Sequence, residues 1–289
     1  MSDKLKNLII RALSGAVLLG IVLGASWLGP YGYGVLLVAI LVVGMWEFYN
    51  LATAKGWTPR RALGIAMGIV LFITGFIVFD GYVSGARAMD LDMLLSGSLY
   101  LTLFIPIVFI VELFHTSESP MANIAMTLMG IFYVAFPLTL LLFVPVLIGN
   151  SAWQPMNFLC FLFIVWANDV FAYLVGVAFG RHRLCERLSP KKSWEGFFGG
   201  VLGALGMGAL GAYILDGNLW VWLGLAAIVS VTSVLGDLVE SMFKREAGVK
   251  DSGRIMPGHG GMLDRFDAVL IATPFAFVYL SVIEIFGTI

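Results

Sequence analysis

Charge is what this chain has least of. Asp, Glu, Lys and Arg make up 12% of its 289 residues, and histidine occurs three times. A soluble domain carries about 25% charged residues and about 45–50% apolar ones; here the apolar share is 60% and the mean hydropathy is +0.96. Cysteine is also scarce. Cys160 and Cys185 are the only two, which excludes a disulfide framework and a Cys/His zinc site and leaves both as free thiols. There is no P-loop, no low-complexity tail, no convincing repeat and no separate soluble domain. The short alternating segments of a transmembrane barrel are missing as well. A net charge of −1 points to no class of partner, and nothing here suggests nucleic acid.

What is present is a series of long apolar runs. A helix crossing a bilayer needs about 20 such residues. Nine runs qualify, at about 8–28, 31–52, 62–79, 92–113, 121–148, 157–179, 195–215, 219–242 and 265–286. The expected fold class is therefore all-α, a polytopic integral membrane protein of about nine transmembrane helices, because helices satisfy their own backbone groups in lipid. The fifth run is long and contains Pro137, which predicts a tilt, a kink or a break. The basic start MSDKLKNLIIRALSG leads into the first run without a clear cleavage site and reads as an anchor. The chain reads as one membrane domain, 1–289. Its N-terminal helices (1–150) carry no motif. Its second half (151–289) holds two polar loops, 180–194 and 243–264.

Basic residues set an orientation. With the N-terminus in the cytoplasm, every Lys and Arg except Arg87 falls inside. The expected location is the cell inner membrane, with both polar loops cytoplasmic and, for nine spans, the C-terminus outside. Trp27, Tyr31, Trp57, Trp153, Trp194, Trp220 and Trp222 fall near span ends, where amphipathic rings anchor helices at the interface.

Gly206-Met207-Gly208-Ala209-Leu210-Gly211 matches the dinucleotide fingerprint in letters but lies inside an apolar run, with no strand before it. With Gly196, Gly199, Gly200 and Gly203 it reads as a stripe for close helix packing, as do Gly20 and Gly24, and such faces would permit a homodimer. Acids inside the runs carry more information, since a carboxylate at mid-bilayer costs on the order of 2.5–3.5 kcal/mol. Asp169, beside Asn168, falls near the middle of the sixth run. Asp237 and Glu240 lie towards the cytoplasmic end of the eighth, on one helical face with Ser241 and Lys244. Asp264 and Asp267 share a face at the start of the ninth, where the helix dipole alone would favour Asp267. Glu47 and Glu112, nearer helix ends, read as structural. A hard divalent cation with oxygen ligands would explain Asp237 and Asp264 at one depth, with Asp169 or Glu240 as further ligands.

Between the eighth and ninth runs, Lys244, Arg245, Lys250 and Arg254 mix with Asp251 and lead into Pro257-Gly258-His259-Gly260-Gly261. Glycines let backbone N–H groups turn toward an anion, and bases neutralise phosphate oxygens. Ser189-Pro190-Lys191-Lys192-Ser193-Trp194-Glu195-Gly196 is a second stretch of this kind, opening a helix.

These residues carry a resemblance. Ser241, Phe243, Lys244-Arg245, Lys250-Asp251, Gly253, Pro257, His259-Gly260-Gly261, Met262, Asp264-Arg265-Phe266-Asp267 match the signature of the phosphatidate cytidylyltransferases (CDP-diacylglycerol synthases). The chain departs only at Met256, where the family usually has Leu, Ile or Phe. Asp169-Val170-Phe171-Ala172-Tyr173 and the Ser-Pro-Lys-Lys segment are also similar to that family, with Val170 where Thr or Ser is usual. The match covers about 165–270. It implies that CTP and phosphatidic acid give CDP-diacylglycerol and pyrophosphate, a step of phospholipid biosynthesis that uses Mg²⁺, with room for a second cation. Asp237 and Asp264 would hold the metal, and Ser189, Lys191, Lys192, Ser241, Lys244, Arg245, Lys250, Gly260, Gly261 and Arg265 would meet the phosphates. His259 offers a phosphate contact or a proton shuttle, or equally a loop-stabilising hydrogen bond. Two rivals stay open from the residues alone. One is a secondary transporter, which also buries acids at mid-membrane. The other is a CTP-dependent enzyme acting on another lipid phosphate.

Overall fold

The computed structural model describes residues 3–85, 102–149, 152–258 and 260–286. Arg87, His259 and the first part of the expected span 92–113 lie outside the described residues. Nine helices occur among those described: α1 (Asp3–Trp27), α2 (Pro30–Ala54), α3 (Arg61–Val83), α4 (Phe104–Leu113), α5 (Pro120–Ile148), α6 (Pro155–Phe179), α7 (Trp194–Ile214), α8 (Leu219–Glu246) and α9 (Leu263–Ile285). Seven of them, α2, α3 and α5 to α9, are long and apolar enough to cross a membrane; α1 and α4 contribute shorter apolar stretches. The expected class is met in its coarse form, while nine full spans are not reached by the described residues. One element escaped the sequence reading: a small antiparallel hairpin, β1 (Arg183–Cys185) with β2 (Ser189–Ser193), between α6 and α7.

The chain divides into two compact units, Met1–Leu142 with Glu246–Arg265, and Phe143–Arg245 with Phe266–Ile289. In the first, α2 supplies the core. Tyr33, Leu37, Leu41, Met45 and Tyr49 are all fully buried, and their four-residue spacing puts them on one face. The two tyrosine hydroxyls reach main-chain acceptors, Leu141 O at 2.7 Å and Thr127 O at 2.9 Å, so neither is left unsatisfied in an apolar interior. Glu112, expected to be structural, accepts from Arg60 Nε at 2.6 Å and from Asn123 Nδ2 at 2.8 Å. Helix α5 is continuous through Pro137 because its turn Ile131–Ala135 is π-helical. The N–H of Phe136 reaches back five residues to Ile131 O. Such a wide turn accommodates a proline ring that would otherwise collide with the preceding turn.

In the second unit, α6 and α7 pack along the glycine stripe. Gly199 faces Val175, Gly203 faces Phe171, and Gly200 faces Asn168 and Ala172, each too closely for a Cβ. Gly208 lies against Ala226 and Trp222 of α8 too closely for a Cβ, and Gly211 lies tightly on the Trp222 ring, so these two glycines of the fingerprint-like letters are mid-helix and serve packing. Trp222, expected at an interface, is instead buried by these contacts. Gly206, by contrast, has open space around it. Overpacking costs about 1–3 kcal/mol. Gly199→Leu should therefore lower the melting temperature of the detergent-solubilised protein by roughly 3–10 °C, and Gly206→Leu should leave it nearly unchanged. A thermal melt followed by size-exclusion checks this.

Candidate active site

Three acids of the second unit meet. Asp237 and Glu240 sit one turn apart on α8, and Asp267 comes from α9; their carboxylate oxygens lie within 4.8 Å of one another. Helices α8 and α9 approach this closely because Gly236 lies directly against Asp267 O and Ala268 Cα, where a methyl group would collide. Glu240 is fully buried and Asp267 is 7% exposed. Two lysines face the group. Lys244, one turn beyond Glu240, pairs with Glu240 Oε2, and Lys192 of β2 pairs with Asp237 Oδ2. Asp267 Oδ1 also accepts the N–H of Ala268 at 2.8 Å.

Lys192 is held by the hairpin. Ser193, the residue after it, caps α7 by accepting from Gly196 N at 3.2 Å. Glu195 closes the root of the hairpin, its carboxylate accepting from Arg181 N at 3.1 Å and from His182 N at 3.2 Å. Lys191 is exposed and Ser189 half-buried on the same ribbon. Ser241 is half-buried and Arg245 exposed near the end of α8.

The charge count shows what the acids need. Two carboxylates 4.8 Å apart repel by on the order of 3 kcal/mol at an effective dielectric of about 20. Acids outnumber lysines three to two here, with Glu240 and Asp267 buried and Asp237 part-exposed. A donor set made only of carboxylate oxygens suits a hard divalent cation and not a soft one. The trio therefore fits a metal of the kind expected from sequence but not the expected ligand set: Asp237 and Glu240 belong to it, whereas Asp264 and Asp169 do not. Asp267, read as an acid favoured by the helix dipole, is the third corner. Asp169, offered as a further ligand, lies on the exposed face of α6 and is not part of the trio.

Asp264 has a different set of partners, in the first unit. Its Oδ2 accepts from Ser252 N at 2.9 Å, Ser252 Oγ at 2.9 Å and Gly261 N at 2.8 Å. It thereby closes the loop that precedes α9. Met256 N donates to Gly260 O at 3.0 Å across the same loop. Gly258 and Gly260 have φ of +77° and +86°, which side chains with a Cβ rarely adopt. The loop borders an open cavity of about 610 Å³ lined by Lys250, Asp251, Arg254 and Arg265 among others. Gly260 lines that cavity, whereas the N–H of Gly261 is taken by Asp264.

Sequence reasoning gave Glu47 no part in this region, yet it lies under the same loop. Its Oε2 accepts from Leu263 N at 2.8 Å. The signal was available in its isolation: it is the only acid in a helix of 25 residues, and an ionisable group in such a helix has a functional reading by default.

A model described as the cytidylyltransferase family matches residues 9–283. A phosphatidate cytidylyltransferase of Haemophilus influenzae is 34% identical over 280 residues, covering 92% of this chain and 96% of that protein. One of Brucella abortus is 32% identical over 279 residues, covering 95% and 94%. One of Synechocystis sp. is 29% identical over 297 residues, covering 93% and 95%. A match that spans nearly all of the chain and takes in both the acidic trio and the basic loop places it in the cytidylyltransferase family.

Proposed function

We infer that this chain is a membrane-embedded CTP:phosphatidate cytidylyltransferase. The observation that carries the reading is the close trio Asp237, Glu240 and Asp267 with Lys192 and Lys244 on it, in a chain similar along its length to proteins of that name. A phosphate oxygen of phosphatidic acid forms a bond to the α-phosphorus of CTP. The bond from that phosphorus to the β-bridging oxygen breaks, and pyrophosphate leaves with the electron pair. The products are CDP-diacylglycerol and pyrophosphate. The attacking oxygen is already anionic, so the step needs positioning and charge neutralisation more than a general base.

The chain's own groups supply both. Asp237, Glu240 and Asp267 would hold the divalent cation, which we assign as Mg²⁺, and Asp264, expected as a ligand, acts instead as organiser of the loop. When bound, such an ion neutralises developing charge on phosphate oxygens. Lys192 and Lys244, already paired to the acids, add positive charge at the rim, and Lys191 and Arg245 extend it. Lys250, Arg254 and Arg265, around the loop cavity, would grip the phosphates of CTP. The lipid tails stay in the bilayer beside the apolar helices. On this reading both polar loops face the cytoplasm, the membrane is the inner membrane, and the C-terminus is outside. The open face at Gly206 leaves room for a second copy of the chain, and no nucleic acid takes part. A reporter fused to each terminus should read opposite sides; the same side for both would overturn the topology.

The activity is tested with purified protein, labelled CTP and a panel of lipid phosphates. Labelled CDP-diacylglycerol and stoichiometric pyrophosphate are expected with phosphatidic acid. Turnover only with another lipid phosphate would reassign the acceptor, and solute uptake into vesicles without CTP consumption would replace an enzyme by a transporter.

A further inference from the structure

Glu47 is buried in α2, 4% exposed, more than 200 residues from the loop it touches. Its Oε2 accepts the N–H of Leu263, the first residue of α9, at 2.8 Å. Ser252 Oγ lies 3.4 Å from that oxygen and 2.9 Å from Asp264 Oδ2, so one hydroxyl proton is shared between the two acids. Gly253 and Gly261 press against the two carboxylate oxygens, Gly253 on Oε1 and Gly261 on Oε2, with no room for a Cβ at either position. Among the described residues, the hydrogen bonds shown for this carboxylate thus go to the segment 252–263. A carboxylate is an expensive way to pack a helix: an apolar side chain would fill the space without the cost of burying charge. What an apolar side chain lacks is an acceptor for backbone amides at a helix start, where negative charge is favoured.

We propose that Glu47 is a positioning residue for CTP: from the N-terminal helices it holds the floor of the basic loop, and so fixes where Lys250, Arg254 and Arg265 stand around the cavity. This rests on reading that loop as the site of the CTP phosphates. It gives the N-terminal helices a part in the reaction without contact between Glu47 and substrate. The loop is pinned at two acids, Asp264 from its own end and Glu47 from beneath, and Ser252 joins them.

The test compares Glu47→Ala and Glu47→Gln with the unaltered protein, by hydrogen exchange and by kinetics. A misplacement on the scale of 1 Å can cost about 100-fold in rate. In Glu47→Ala, exchange in segment 250–263 should rise about tenfold, and KM for CTP should rise about tenfold or more, with KM for phosphatidic acid within twofold. Glu47→Gln keeps one acceptor for Leu263 N–H and should lie between. Adding Ser252→Ala to Glu47→Ala should cost less than the product of the two single effects, because both act on one contact. Unchanged exchange in 250–263, or an unchanged KM for CTP in folded variants, would overturn the proposal. So would loss spread evenly over α2 and α3, the mark of a purely structural acid. If Glu47→Ala does not fold, Glu47→Gln carries both readouts. Should the unaltered protein consume no CTP, the enzymatic reading fails on that control, while exchange still decides whether Glu47 holds the loop.

Discussion

Asp237→Ala and Asp267→Ala should each lower CTP-dependent turnover by about 1000-fold or more, close to 4 kcal/mol, with the protein still folded. Each removes one corner of a three-carboxylate group. The group cannot compensate, because Glu240 is fully buried and is already paired to Lys244. Magnitude separates this from the bland explanation for Asp267. An acid that merely complements a helix dipole is worth about 0.3–1 kcal/mol, and that would appear in stability and not in rate. The measurement is kcat with labelled CTP across a range of Mg²⁺ concentrations, with size-exclusion in detergent as the control for folding. Asp267→Ala with near-normal turnover would remove the third corner, and Asp237→Ala with near-normal turnover would end the metal assignment.

Asp264→Ala should abolish product as well, by a different route. The variant leaves the N–H groups of Ser252 and Gly261 without their acceptor, at about 1–3 kcal/mol for each donor that stays buried. The loop that presents Lys250, Arg254 and Arg265 would then lose its closure. Asp264→Asn distinguishes organiser from ligand. The amide retains one carbonyl oxygen, so a loop-closing role predicts activity reduced by about 10- to 100-fold with KM for CTP raised. A ligand role predicts a loss as deep as that of Asp237→Ala and dependent on Mg²⁺. Activity titrations of the two variants side by side decide between them.

The helices were legible because lipid imposes one rule, a run of apolar residues, and the chain obeys it plainly from Pro30 onward. The hairpin at 183–193 was not, since two short strands in a polar loop leave no periodicity to read. Within the site, sequence spacing placed Asp237 and Glu240 on one face of α8 correctly. It also put Asp264 and Asp267 on one face of α9, and there it ran out. Which of two acids one turn apart enters an acidic cluster depends on how a neighbouring helix crosses. That crossing is set by Gly236, whose role is visible only when α9 lies against it. Glu47 failed for the same reason at longer range: its partners, Ser252 and Leu263, are separated from it by 205 and 216 residues. The basic loop was readable because its glycines and bases are contiguous. The trade between Gly261 and Asp264 inside it was not, because a glycine N–H free for phosphate and one used by a carboxylate look alike in sequence.

The ribbon that carries Lys192 has a thermodynamic consequence. A lysine on an unstructured tether surrenders backbone freedom when a ligand arrives, about 1–2 kcal/mol for each residue brought to order. Here Lys192 stands in β2, one residue before the cap of α7, with Glu195 fastening the ribbon's base. Those degrees of freedom were given up when the chain folded. If Lys192 meets the nucleotide as proposed, its capture is spared an entropic toll that a floppy connector of the same composition would levy at every catalytic cycle.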